Sequence, residues 1–166
     1  MSEKGVNRKE LEFLIHSNWI EKEYSKIAKD DSILAWKEAK KYKDTKMNTD
    51  YVLMVHKTLM KNIYPEIAGK IRKVPVYIGR KECLKPSLIK EELNGWTKEY
   101  SQPKSASKIK KAHIQFERIH PFEDGNGRVG RILMNIQRLN ADLPLIIIHE
   151  GKEQMEYYDW FRPNNY

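Results

Sequence analysis

The stretch HPFEDGNGRVGR, residues 120–131, brings an imidazole, a carboxylate, three glycines and two guanidinium groups together in one short segment. Pro121 disfavours the right-handed helical conformation at His120, so a helix leading into the stretch has to stop there. Asp124, Gly125, Asn126 and Gly127 tolerate positive φ, which the backbone of an anion-binding nest requires. The apolar positions Val129, Ile132, Leu133 and Ile136 are already in helical phase. A second helix therefore begins near Asn126, with unsatisfied N–H groups directed into the loop. Arg128 and Arg131, three apart, are neighbours on one helical face, expected opposite that apolar stripe, and their planar forks suit polyphosphate oxygens. Asp124 offers a carboxylate for Mg²⁺ at the loop entrance. Each feature alone is ordinary: a structural histidine, a glycine turn, two solvated arginines. Together they describe a nucleotide phosphate site with a base beside it, and hence phosphoryl or nucleotidyl transfer.

The elements that position this stretch are almost all helical. Leu11, Leu14 and Ile15 predict a first helix running toward Glu21. A second is expected from a cap at Asp31 or Ser32 to about Lys43. A third, capped by Asn48 or Thr49, carries Val52, Val55, His56 and Leu59 on one stripe. A fourth opens at Pro86 and Ser87 and carries Leu88, Ile89, Leu93 and Trp96. Ile109, Ala112, Phe116 and Ile119 define a buried face that leads into His120, with His113 as a buried support on the same side. Leu143 to Ile148 reads as a short buried strand or a loop on the core, followed by a short helix near 151–161. The segment VPVYIG, residues 74–79, breaks the pattern: it is β-branched and aromatic, and Pro75 makes it an edge strand. The expected fold is a single, mainly α domain over residues 1–166 with one small β-hairpin.

Composition bounds the function. The chain has 166 residues, 40% hydrophobic and 10% aromatic, so a globular core is favoured over disorder. The single Cys83 excludes an intramolecular disulfide framework, and no apolar stretch resembles a leader or a membrane span. A cytoplasmic protein is expected, with no membrane partner. The net charge of +8 raises nucleic acid as a partner, but the lysines of residues 37–46 and 104–113 fall in helical patterns as solvated faces. No nucleic-acid module signature is present. A metal site from Cys83, His113 and His120 is disfavoured because their spacing matches no zinc pattern.

Residues 120–131 match the signature of the Fic-domain family, H-x-F-x-(D/E)-G-N-G-R-x-x-R, at every specified position. The surrounding QFERIHPF (115–122), MVHKTLM (54–60), VPVYIG and the pair Tyr157–Tyr158 resemble the family as well. The resemblance implies a compact helical Fic-like domain that moves AMP from ATP to a Ser, Thr or Tyr hydroxyl of a target protein, releasing pyrophosphate. It implies His120 as general base, a role its ordinary pKa near neutrality suits. Asp124 would coordinate Mg²⁺ or Mn²⁺. The backbone of Gly125, Asn126 and Gly127, with the Asn126 side chain, would cradle the phosphates. Arg128 would clamp the β-phosphate and Arg131 the γ-phosphate. Val74, Val76, Tyr77 and Ile78 would form a flap that receives the target segment by main-chain pairing.

Family members often carry an inhibitory helix with the pattern (S/T)-x-x-x-E-(G/N). SNWIEK, residues 17–22, resembles it, with Ser17 and Glu21 on one helical face, and residues 7–30 would form an N-terminal inhibitory region. Glu21 would pair with Arg131 in place of the γ-phosphate. The last position is Lys22, not Gly or Asn, so the left-handed turn that ends such a helix comes at a cost. The helix either stops at Glu21 or continues through it. The same site run in reverse, removing AMP from a target, is the first alternative. A phosphotransferase is argued against by Gly127, where kinase-like relatives carry lysine. A silent nucleotide-binding or nucleic-acid-binding module is the remaining alternative. Self-modification and a homo-oligomer are left open.

Overall fold

The computed structural model describes residues 5–163. Its order is α1 (Arg8–Ile20), α2 (Lys26–Lys41), α3 (Thr49–Met60), β1 (Tyr77–Ile78), β2 (Lys81–Glu82), α4 (Pro86–Tyr100), α5 (Ala106–Ile119), α6 (Asn126–Asn140) and α7 (Lys152–Asp159). The mainly α fold with one hairpin is the expected one. Polar caps fix where most helices start. Asn7 and Glu10 form a reciprocal capping box on α1, and Asn48 and Ser105 cap α3 and α5 through their side chains. Pro86 stands at the start of α4, where its missing N–H costs no helical hydrogen bond.

The second helix corrects the sequence expectation. Ser25 is its cap, accepting from the Ala28 N–H at 3.1 Å, so α2 begins well before Asp31. Asp31 and Ser32 are instead buried inside it as tertiary anchors. Ser32 donates to the Asn18 side chain at 3.0 Å, and Asp31 accepts from Asn62 at 2.7 Å. Both polar pairs outweigh the capping preference that their types carry in isolation. The segment 143–148 is a loop, with Asn135 holding Ile146 through both of its backbone groups. Leu88 faces solvent, while Ile89, Leu93 and Trp96 enter the core as expected.

Helix α6 lies at the centre, against α1, α2, α3 and α5. From Asn126 to Gln137 every residue is buried except Gly127, which is half-buried. Around it Phe13 and Trp36 meet edge to face at 5.4 Å, and Val52, Val55, Leu59, Leu93 and Phe116 complete the core. The α5–α6 pair is antiparallel and joined by residues 120–125, so the signature loop sits at one end of the most buried helix. The hairpin is short and exposed, pairing Tyr77 with Glu82 and Ile78 with Lys81 around a positive-φ Gly79. No helix among the described residues is long and apolar enough to cross a membrane. Replacing Ser25 by Ala should cost about 1 kcal/mol in urea denaturation, the usual value of a lost N-cap. An unchanged midpoint would return the start of α2 to Asp31.

Candidate active site

His120 ends α5 in the left-handed region, at φ 48° and ψ 61°, with its N–H donating to the Phe116 carbonyl at 3.0 Å. Pro121 excludes the helical alternative, and the residue turns the imidazole out of the helix axis. Nδ1 lies 3.3 Å from the Glu117 carbonyl, which only accepts, so Nδ1 carries the proton and Nε2 the lone pair. Burial holds the imidazole below its ordinary pKa, and the Glu117 carbonyl partly offsets that effect. The ring is therefore neutral at pH 7, as a proton acceptor must be.

The loop after it is braced from three directions, and sequence reasoning missed two of them. His56, completely buried on α3, stacks on Phe122 with centroids 3.7 Å apart. Its Nε2 reaches the Asp124 carbonyl at 2.9 Å and its Nδ1 accepts from the Gly69 N–H at 2.9 Å, which fixes one neutral tautomer. Burial lowers its pKa to about 4, so this arrangement survives at physiological pH. Arg72 is the second brace, 2% exposed. It donates to the carbonyls of His120 (2.7 Å), Val74 (3.0 Å) and Leu84 (2.6 Å), tying both arms of the hairpin to the base of the loop. The apolar phase of α3 marked His56 only as core, and Arg72 lies in a segment with no periodicity at all. The third brace is Asn126, whose side-chain oxygen and nitrogen pair with the backbone of Phe122 at 2.9 and 2.8 Å. That amide is turned inward, which leaves its backbone N–H as the group facing the loop.

Gly125 has φ 84° and caps α6 without any side-chain hydrogen bond, so the first turn of α6 is not closed by a side chain. A Cβ here would stand 2.9 Å from the Met60 sulfur, so glycine is required by space as well as by conformation. Asp124 is exposed, with Oδ1 accepting from the Gly125 N–H at 2.7 Å.

The two arginines are buried, not solvated opposite an apolar stripe, because α1, α3 and α7 wrap the face that the sequence suggested was open. They differ sharply. Arg131 donates to the Ser17 hydroxyl at 2.8 Å, the Ser17 carbonyl at 3.0 Å, Glu21 Oε1 at 2.8 Å and the Tyr157 hydroxyl at 3.4 Å. Arg128 meets only the Met60 sulfur at 3.7 Å and, more distantly, Asp124 at 3.8 Å. Its Nε and Nη1 are buried without a partner. The Glu21 carboxylate also presses on the first turn of α6, where a Cβ on Gly127 would come 2.3 Å from Oε1. An anion thus already stands at the positive end of α6, supplied by the chain itself.

The model of the Fic/DOC family matches residues 46–137, more than half of the chain, from the start of α3 through most of α6. The chain belongs to the Fic/DOC family. The protein adenylyltransferase fic-1 of Caenorhabditis elegans is 32% identical over 119 residues, 68% of this chain and 23% of that protein. The protein adenylyltransferase Fic of Nematostella vectensis is 26% identical over 152 residues, 84% of this chain and 35% of that protein. This Fic chain therefore spans about a quarter to a third of the curated relatives it matches. A solved structure of Fic-1 from C. elegans superposes with a TM-score of 0.76 over 96% of this chain and 56% of that one, at 20% identity. A Fic family protein from Desulfovibrio desulfuricans G20 gives 0.71 over 92% of this chain and 55% of that one, at 19% identity. At such identities the likeness is one of fold.

In this Fic domain Lys22 does adopt the left-handed conformation, at φ 58°. The helix stops at Ile20, and the N–H groups of Lys22 and Glu23 return to the carbonyls of Trp19 (2.9 Å) and Asn18 (3.0 Å). That is the Schellman arrangement, completed by a residue with a Cβ penalty. Glu21, the C-cap, is thereby aimed at Arg131. Val74, Tyr77 and Ile78 are exposed on the hairpin, whereas the Val76 carbonyl accepts from the Cys83 N–H at 2.9 Å within it. His113 is buried as expected, 2.7 Å from the Tyr157 hydroxyl.

Two stability changes follow. Lys22→Gly should stabilise the fold by about 1 kcal/mol, because the left-handed turn no longer strains a side chain. A loss of stability in a denaturant titration would show that the lysine side chain matters more than its backbone. Glu117, whose Oε1 is buried without a partner, has its pKa pushed up to about 7 by burial. A pKa raised in the fold means stability that is complete below the unfolded value and lost as pH rises toward 7. Glu117→Gln should therefore gain on the wild type by on the order of 2–3 kcal/mol between pH 5 and pH 8. Parallel melting curves across that range would refute the shift.

Proposed function

We propose that this chain is a protein adenylyltransferase, moving AMP from ATP to a Ser, Thr or Tyr hydroxyl and releasing pyrophosphate. The observation that carries the proposal is the unequal state of its two arginines. Arg128 is buried with two unpartnered nitrogens beside a helix N-terminus that no side chain caps. A native fold leaves such donors unmet where a ligand supplies the acceptor, and an anion with several oxygens fits. Arg131 is satisfied, but partly by a carboxylate, the protein's own substitute for a phosphate.

His120 accepts the hydroxyl proton at Nε2 as the oxygen attacks the α-phosphorus. The bond to the bridging oxygen breaks, and pyrophosphate leaves with the electron pair. The backbone of Gly125, Asn126 and Gly127 stabilises charge on the α-phosphate, Arg128 holds the β-phosphate and Arg131 the γ-phosphate. The neutral Nε2 of His120 and its fixed Nδ1–H support the first step. Asp124 would hold Mg²⁺ or Mn²⁺: it is an exposed, hard oxygen donor with one oxygen engaged by a backbone N–H, and a single carboxylate is a usual protein share of such a site. The ion would neutralise charge on the phosphates. The hairpin edge at Val74, Val76, Tyr77 and Ile78 would take the target segment as an added strand, and Arg72 would couple that edge to His120.

Residues 7–30 act in this reading as the regulatory part of a single domain. Seating the γ-phosphate on Arg131 requires Glu21 to leave, so the resting protein is auto-inhibited. Incubation with ATP and Mg²⁺ followed by intact-mass spectrometry tests the reading. His120→Ala should lower AMP incorporation by 10²–10⁴-fold, the range for losing a general base. Glu21→Gly should raise it well above the wild type. An AMP adduct that persists without His120, or none in the Glu21→Gly protein, sinks the reading.

A further inference from the structure

Outside the signature loop, α1 carries a second group of side chains able to do chemistry. Glu12 and His16 are four residues apart and so share one face of the helix. His149, in the connection between α6 and α7, meets them there. One ligand atom from each of the three lies within 4.8 Å of the other two. Zinc holds nitrogen and oxygen donors at about 2.0–2.2 Å, so tetrahedral donors stand roughly 3.5 Å apart. The 4.8 Å ceiling lies within roughly 1.5 Å of that spacing, and the Glu12–His149 contact, at 2.8 Å, would open slightly.

The surroundings are also those of a ligand set. The Nδ1 of His149 lies 2.7 Å from Glu153 Oε2, and the same oxygen accepts the His149 backbone N–H at 2.9 Å. Nδ1–H is therefore held by a carboxylate, the way metal-binding imidazoles are oriented, while Nε2 donates to Glu12 a proton that a metal would displace. The His16 ring stands edge-on to His149 with centroids 4.4 Å apart, and its Nδ1 is buried with no hydrogen-bond partner. Two imidazoles with one carboxylate suit a borderline-soft cation, whereas Mg²⁺ and Ca²⁺ demand oxygen. His₂Glu is a set that zinc accepts, leaving its fourth position to water.

We infer that Glu12, His16 and His149 form a zinc site that clamps α1 to the connection leading into α7. The clamp lies on the helix that carries Ser17 and is capped by Glu21, and the connection leads to Tyr157, so all three partners of Arg131 lie on the elements it ties together. Zinc would thus favour the Glu21–Arg131 contact. The site stands on its own residues, while its meaning as a brake rests on the transferase reading.

The test uses the full chain, free of any histidine tag and stripped with chelator, titrated with ZnCl₂ against a chromogenic chelator. One zinc per chain at micromolar or tighter affinity is expected, with no competition from millimolar Mg²⁺. His149→Ala and Glu12→Gln, changed on separate elements at partly exposed positions, should each weaken binding at least 100-fold. Glu153→Gln should weaken it about 10-fold through loss of the orienting carboxylate. Melting curves of all variants in EDTA that match the wild type to within a few degrees keep folding out of the result. Hydrogen exchange should slow over residues 15–22 on zinc addition in the wild type and not in His149→Ala. No binding at micromolar zinc, or binding that survives both ligand changes, overturns the site. Binding without slower exchange overturns the clamp. Neither readout depends on AMP transfer, so failure of one reading leaves the other to be judged separately.

Discussion

A buried guanidinium keeps its charge, so the chain has to bring acceptors to Arg131 or leave a costly unpaired ion in its core. Burial opposes that charge, yet Tyr157 and Glu21 more than compensate and hold its pKa above the ordinary value. The acceptors come from Ser17 and Glu21 at the end of α1 and from Tyr157 on α7. One side chain on the central helix therefore ties the first and last helices together. It also sets the state of the candidate site, because the Glu21 carboxylate lies over the N-terminus of α6, where an incoming phosphate would be drawn. Arg128, one turn earlier, has no such partners. The two arginines of one loop and helix start are thus left in opposite states, one fully partnered and one not.

The loop between α5 and α6 depends on bracing of a different kind. His120 and Gly125 both hold left-handed backbone, and for a residue with a Cβ that conformation persists only where the surroundings dictate it. His56 beneath Phe122 and Asp124, Asn126 across the Phe122 backbone and Arg72 against the His120 carbonyl provide that constraint. All three are buried and all three bond to main chain, so they fix the loop whatever occupies it. Arg72 extends the same network to the hairpin, making the exposed edge and the imidazole parts of one rigid assembly. The short, solvent-facing strands would have little hold on the domain without it.

Legibility in the sequence followed the range of the interaction. The stop at His120, the start of α6 at Asn126, the cap at Asn48, the start of α4 at Pro86 and the hairpin are readable because each depends on residues a few positions away. The start of α2 is not legible locally, because Asp31 and Ser32 are good cap types and nothing nearby reveals that Asn18 and Asn62 claim their side chains. The burial of the arginines is hidden for a similar reason. An apolar stripe shows which side of α6 is buried first, but not that further helices cover the other side.

The amino-acid sequence by itself determined the signature loop, the family and the order of helices, since local conformational preference and residue chemistry encode these directly. It also supplied Ser17 and Glu21 at helical spacing. Only the tertiary structure decided that Lys22 takes the left-handed turn, that Glu21 reaches Arg131 over a separation of 110 residues, and that Arg128 keeps unpaired donors. It alone joined His149 to Glu12 and His16. The physical reason is common to all of these: each balances local strain or desolvation against partners that only the closed fold brings within hydrogen-bonding distance.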